Sequence, residues 1–344
     1  MSTQLVTDIG DKEFSTKLTQ IVFASSDTYV DISIEVNSIE VLSERYVPDA
    51  NGQVVLYDVG NLLQPYLVSS LRGLVDINYT SAGTTENVGF LCFYTTAMIE
   101  ESTELFLSTH FLTHATEKNT AVGRKEQLFF YVDEPTAVTC TAYYDDGSSV
   151  VIPGQTFDQY GTIAMIDASP IYFTAAAKQL INYTITAGSR TARFTCVPPC
   201  EFAPALLYRN SFGVEETIYC VGTETLEPKY NYTTANIAGA YLNIDVEEVK
   251  SFHALTGVLT TAMANSADDL FRAPMVQLFT LDANSQIIRG RQVTITDAKS
   301  LRSNDSNFLP NFEFEYRYSQ NNHNIFDKTV AGRIFDDTFD YSFE

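Results

Sequence analysis

Apolar and polar residues alternate without a break along Val30-Asp-Ile-Ser-Ile-Glu-Val36, which puts Val30, Ile32, Ile34 and Val36 on one face of a half-buried strand. The same period of two dominates the chain. In Tyr46-Val-Pro-Asp-Ala-Asn-Gly52, Pro48, Asp49, Asn51 and Gly52 supply a turn before the next strand. Residues 59–67 read as a brief helical crossover that Pro65 keeps short, and strands resume at 75–79 and 88–94. After a polar stretch, Leu128-Phe-Phe-Tyr-Val132 and Val138-Thr-Cys-Thr-Ala-Tyr143 are strands, and Asp145-Asp-Gly147 is a tight turn before Ser149-Val-Val-Ile152. Strands at 162–166, 183–186 and 193–197 would complete a small antiparallel sandwich of immunoglobulin-like type, closed by Pro198-Pro199.

A third unit opens at Leu206-Leu-Tyr-Arg-Asn-Ser-Phe-Gly213 and holds the clearest local helix, near 266–273. There Ser266-Ala-Asp-Asp269 has the form of a capping box, and Pro274 ends the helix. The pattern predicts a mainly β protein of two to three antiparallel β-sandwich or barrel-like domains with one or two short helices. The expected division is an N-terminal β domain at 1–105, an immunoglobulin-like β-sandwich at 106–200 and a C-terminal β-rich domain at 201–344, which suits a chain of 344 residues.

Composition narrows the function. No run of about 18 apolar residues exists to span a bilayer, so membrane insertion is not expected. Residues 1–20 carry Asp8, Asp11 and Glu13 and lack the basic start and apolar middle of a secretory signal, which predicts synthesis in a cytoplasm. Five cysteines, an odd number, fit reduced and mostly buried thiols there. The formal charge of −22 repels phosphate backbones and argues against sequence-specific nucleic-acid binding.

The constellations that could carry chemistry are incomplete. His110 and His114 have the i, i+4 spacing of a zinc helix, but Phe111 stands where a metalloprotease needs Glu, and Phe106, Thr109 and Thr113 favour extended structure. Cys196-Val-Pro-Pro-Cys200 has no second ligand pair and no activating helix N-terminus. Nucleophile-elbow, phosphate-loop and dinucleotide fingerprints are missing from the sequence. Asp145-Asp146, Glu215-Glu216 and Asp268-Asp269 could serve a glycosidase, yet 43 acids make such pairs common by chance. The expectation is a protein that is not an enzyme, with no catalytic, cofactor-binding or metal-binding residues.

The C-terminus differs in kind. In Ile334-Phe-Asp-Asp-Thr-Phe-Asp-Tyr-Ser-Phe-Glu344, Phe339, Tyr341 and Phe343 recur every second residue among acids, the pattern of a strand with one aromatic face. It is either an edge strand of its own domain or an arm that pairs with a neighbouring subunit, and Phe335, Phe339, Tyr341 and Phe343 are the candidate docking residues.

Four fragments, in order, carry a resemblance: Tyr46 to Gly52; Phe111-Leu-Thr113 running on to Leu128-Phe-Phe-Tyr131; Asn210-Ser-Phe-Gly213 with Glu215-Glu216 and Thr217-Ile-Tyr-Cys220; and residues 253–318. The last includes Thr256-Gly257, Ala273-Pro-Met-Val-Gln-Leu278, Gln292-Val-Thr-Ile-Thr-Asp297 and Phe314-Glu-Tyr316. Together they resemble virion tail and baseplate structural proteins of Bacteroidetes-infecting bacteriophages, of distal-tail-like kind. The resemblance implies a virion subunit, made and assembled in the bacterial host cytoplasm, that self-assembles into a homo-oligomeric ring and contacts other virion tail proteins. It also implies that the first or third unit forms the ring while the middle unit faces outward. Two other classes remain: a carbohydrate-binding adhesin or receptor-binding virion protein that takes a host-surface glycan, using some of its 20 tyrosines because it has no tryptophan, and a polysaccharide depolymerase.

Overall fold

The computed structural model describes residues 3–200, 203–222, 224–303, 305 and 308–320; Phe335, Phe339, Tyr341 and Phe343 lie outside the described residues. The first stretch contains β1 (Gln4–Leu5), β2 (Lys12–Phe14), β3 (Gln20–Ala24), β4 (Val30–Val36), β5 (Ile39–Tyr46), β6 (Gln53–Tyr57), helix α1 (Val59–Leu67), β7 (Arg72–Ser81) and β8 (Thr84–Phe93). They make one sheet of order β1-β3-β6 and another of order β2-β8-β7-β4-β5. Val30, Ile32, Ile34 and Val36 are all buried, as their alternation demands, against Ile21, Phe23, Val54 and Leu56, with Leu63 and Leu67 of α1 in the same core. Pro65 sits inside α1, which stops two residues later.

The second stretch contains α2 (Thr103–Thr109), β9 (Glu117–Thr120), β10 (Gln127–Val132), β11 (Thr136–Tyr144), β12 (Ser149–Phe157), β13 (Thr162–Asp167), β14 (Leu180–Ala187) and β15 (Arg190–Cys196). A β10-β13 pair faces a five-stranded sheet of order β12-β11-β14-β15-β9 across a core that includes Phe130, Tyr183 and Phe194. The Tyr183 and Phe194 rings stack at 4.8 Å. Helix α2 replaces the extended structure expected around Phe106 and Thr109. The Ser102 side chain caps it by accepting from Leu105 N at 3.3 Å, and Phe106 and Leu107 are buried, so packing outweighs the weak helix propensity of its threonines.

The third stretch contains β16 (Ala205–Arg209), β17 (Glu215–Tyr219), β18 (Thr225–Ile237), β19 (Ala240–Val258), α3 (Thr261–Arg272), β20 (Val276–Leu281), β21 (Ile287–Lys299) and β22 (Asn311–Tyr318). They form one seven-stranded antiparallel sheet, β17-β16-β20-β21-β22-β19-β18. Met263, Ala264, Ala267 and Leu270 of α3 share its core with Phe252, Phe312, Phe314 and Tyr316. The expected start of this helix at Ser266 is corrected: Thr260 is the cap, its hydroxyl accepting from Met263 N at 3.1 Å, and Ser266 is buried in mid-helix. The fold is mainly β as expected, and none of its sheets closes into a barrel among the described residues. Two short edge pairings, β2 with β8 and β9 with β15, are parallel.

A fourth core joins the three. Phe14 and Phe93, Phe106, Leu112 and Tyr131, and Phe212 and Val214 form one buried cluster drawn from all three stretches. Phe212 projects from the Asn210-Ser-Phe-Gly213 turn, in which Asn210 Oδ1 accepts from Phe212 N at 3.0 Å. Gly213 sits at φ +77°, and a Cβ there would fall 2.7 Å from Leu71 Cδ2. Asn210 Nδ2 donates to Leu112 O at 2.9 Å and to Glu216 Oε2 at 3.0 Å. The buried Glu216 carboxylate also accepts from Thr113 Oγ1 at 3.1 Å and from Ser266 Oγ at 2.7 Å. Truncating Phe212→Ala should therefore lower the unfolding free energy by about 3–5 kcal/mol, the range for a fully buried phenylalanine. A urea titration checks this, and an unchanged midpoint would show that the junction does not contribute to stability.

Candidate interaction surface

The residues singled out for chemistry are placed apart and occupied structurally. His110 stacks on Phe106 at 4.8 Å and lies 3.5 Å from Glu101, whereas His114 meets Ser211 Oγ at 3.0 Å and Asp269 Oδ2 at 3.7 Å. The second group combines serine, histidine and aspartate, which sequence reading missed because they lie far apart in the chain. Both partners face the same ring nitrogen, Nε2, whereas a nucleophile, base and orienting acid need opposite ring nitrogens. Ser211 N donates to Asp269 Oδ2 at 3.1 Å, so the group ties the Phe212 turn to α3.

The three acid pairs are similarly engaged. Asp145 Oδ1 accepts from Gln179 N, and Asp146 lies 2.8 Å from Lys178 Nζ. Glu215 pairs with Arg289 at 2.5 Å, and Asp268 bonds the Arg302 guanidinium. Cys200 Sγ accepts from Gly222 N at 3.4 Å, and burial together with the Glu126 carboxylate pushes the Cys196 thiol up to about 11, away from the reactive thiolate.

The unexplained surface is the hairpin β18–β19. Among the described residues, strand β22 pairs with β19 at Ser251 and beyond, and residues 240–250 of β19 pair with β18, as an arm of two strands. Its tip is the two-residue loop Ala238-Gly239, at φ +53° and +87°, the arrangement of a type I′ turn. Leu226 opposes the buried Phe252, and the same strand face continues outward through Tyr230, Tyr232 opposite Val246, and Asn236 opposite Tyr241. The core-facing side of the sheet thus runs past the cover of α3 and exposes Tyr230, Tyr232, Val246 and Tyr241, the last at 79%. Ile237, Leu242 and Ile244 are also exposed towards the tip. A two-stranded ribbon is marginal in water by itself, and its exposed apolar side chains make it a candidate contact element.

A second surface lies on the middle sheet, opposite its core. Cross-strand rows there read Val151-Thr141-Thr184-Arg193, Pro153-Thr139-Thr186-Thr191 and Ser149-Tyr143-Asn182-Thr195. These rows hold six threonines, and the first continues on β9 from Arg193 to the carboxylate of Glu117. Hydroxyls there repeat at roughly 4.8 Å across strands and about 6.8 Å along them.

No protein-family model matches the chain, and no curated protein matches it. Among solved structures it is similar to a chain in the tail of an empty GTA particle of C6 symmetry, at 13% identity and a TM-score of 0.24 over 36% of this chain and 96% of that one. At that TM-score the likeness carries no argument.

Ala238 at positive φ is a strained choice for the arm's turn, costing roughly 1–2 kcal/mol in a left-handed conformation. Ala238→Asn is accordingly expected to slow amide exchange along residues 230–248 at least fivefold. Unchanged exchange would mean that the turn does not limit opening of the arm.

Proposed function

We propose that the chain is a structural subunit of a bacteriophage virion, most specifically a tail subunit of the distal end or baseplate that self-assembles into a ring and connects to other tail proteins. The single observation that supports this reading is the β18–β19 arm, which carries a core-like face beyond its own core. The four ordered fragments supply the kind of particle. Association would proceed by seating Tyr230, Tyr232, Val246 and Tyr241 on the next copy, with main-chain pairing adding register. In this reading the third unit forms the ring, the middle sandwich faces outward, and the units divide at 105/106 and 200/201.

The threonine-rich rows favour a second reading for the outward unit, the binding of a neutral host-surface glycan. Threonine hydroxyls donate and accept, and Tyr143 supplies an apolar ring face. Retention on a glycan array that is lost in Thr141→Val/Thr184→Val supports this role, and no retention of the parent protein removes it.

Electron microscopy of the purified protein is expected to show rings of several copies. Tyr230→Asp/Tyr241→Asp should reduce self-association at least tenfold by light scattering while thermal unfolding stays unchanged. A strictly monomeric parent protein at every concentration overturns the assembly reading.

A further inference from the structure

The far end of the β18–β19 arm has a second apolar side. Ile237 and Leu242, each about half exposed, alternate along their strands with Asn236 and Tyr241, and so lie on the face opposite to Tyr230, Tyr232 and Tyr241. Their cross-strand partners are Ala240 and Ala235, and Ile244, also exposed, stands at the register shift between the pairs Thr233–Asp245 and Thr234–Asn243. From Tyr230 to Ile244 no side chain is charged. Asn236 is the one amide side chain among residues 235–242, and its Oδ1 accepts from Gly239 N at 3.1 Å within the turn. The tip therefore offers apolar area on both faces and few directed hydrogen bonds.

What surrounds such a tip has to be apolar on more than one side and undemanding in direction. A second protein surface covers one face of a ribbon and fixes it with polar contacts, whereas the boundary between headgroups and acyl chains in a lipid layer closes around an inserted element from every side. The residues are graded to match. Ile237, Leu242 and Ile244 stand at the turn end, Tyr232 and Tyr230 follow, and tyrosine suits the headgroup level because its ring is apolar and its hydroxyl stays wet. The charges Asp245, Glu247, Glu248 and Lys229 come farther back. Asp245 lies six residues from Gly239, roughly 20 Å along the strand, so a tip that enters by about 5–10 Å leaves it in water.

We infer that the tip of the arm, through Ile237, Leu242 and Ile244, inserts shallowly into the surface of a lipid bilayer whose headgroups carry no net charge. The inference goes beyond the assembly reading and does not need it, since one copy holds the whole tip and the face given to the next copy is the opposite one. The backbone limits the depth: a two-stranded ribbon cannot satisfy all of its main-chain groups in hydrocarbon, so the tip stays at the hydrated boundary. Contact of this kind needs no spanning segment, and among the described residues no helix is long and apolar enough to cross a membrane. The preference for a neutral surface follows from charge. Acids outnumber bases behind the tip and the whole chain stands at −22, so an anionic leaflet repels it.

The chain has no tryptophan, so Leu242→Trp places a single fluorescent reporter at the tip. Its emission is expected to shift to the blue on addition of phosphatidylcholine vesicles and to be quenched most by lipids brominated near the headgroup end of the acyl chain. Met98→Trp, at an exposed site ahead of α2, should stay unshifted. The parent chain should float with these vesicles at least threefold more than with vesicles containing phosphatidylserine at low salt. Ile237→Asp/Leu242→Asp should lower flotation at least tenfold while thermal unfolding and self-association stay unchanged. An unshifted Leu242→Trp, or a parent chain that does not float, removes the lipid inference and leaves the assembly reading untouched. Loss of self-association in Ile237→Asp/Leu242→Asp assigns that face to a second copy and likewise removes it. A parent chain that floats but is monomeric at every concentration upholds the lipid inference and overturns the assembly reading alone.

Discussion

The arrangement of the molecule depends on one aromatic wedge held by buried polar bonds. Phe212 enters a cluster to which each of the three sheet systems contributes, and the turn that presents it leaves little freedom: Asn210 bonds within the turn, to the Leu112 carbonyl and to Glu216. A buried carboxylate such as Glu216 is costly without partners, so the bonds from Thr113, Asn210 and Ser266 select the one docking of strand, loop and helix in which all are made. Apolar burial stabilises the joint, and the polar bonds fix its geometry. Around it, Lys118 and Glu126 form a further buried pair at 2.8 Å, with Lys118 also donating to the Thr217 carbonyl, so that β9 and β17 are joined by more than contact area.

With the body fixed in this way, the extent of α3 decides where the core it shares with the seven-stranded sheet stops. Helix and sheet share a core as far as Phe252 and Leu226, and outward of those residues no described helix covers the same face of β18 and β19. The arm is therefore a continuation of the sheet beyond its cover, with Tyr230, Tyr232, Val246 and Tyr241 set among Glu248, Lys250 and Asn243 on that face. Tyrosine is an apt residue for such a face, since its ring buries well while its hydroxyl can remain wet, as Tyr230 shows by donating to Glu248 Oε1 at 3.1 Å.

Much of this was legible in the sequence where a local signal and a tertiary demand agree. The alternation of Val30 to Val36 appears as a strand buried on every second residue, and Gly257 falls at φ +72°, where a Cβ would lie 2.7 Å from Val221, ahead of the helix that follows it. Legibility fails where the two conflict. Ser266-Ala-Asp-Asp269 looks like a helix start, but its side chains serve other elements: Ser266 bonds Glu216, Asp268 bonds Arg302 and Asp269 receives Ser211 N. The arm went unread because its turn, Ala238-Gly239, has Ala where Asn or Asp would announce a type I′ hairpin, and because polar and aromatic residues alternate there with no core to justify them. The approach of His114, Ser211 and Asp269 depends on the fold of three separate segments, which no spacing in the chain records.

Charge then constrains how such a body can meet its own copies. At −22, two copies repel at long range, and salt weakens that repulsion without supplying a contact. Association has to use surfaces where the charge is locally low. The exposed face of the arm around Tyr232, Val246 and Tyr241 is of this kind, and so are the threonine rows of the middle sheet. A strongly acidic protein that retains these surfaces limits chance encounters over most of its area while keeping a few geometrically demanding ones favourable, which is the condition for a defined assembly in place of aggregation.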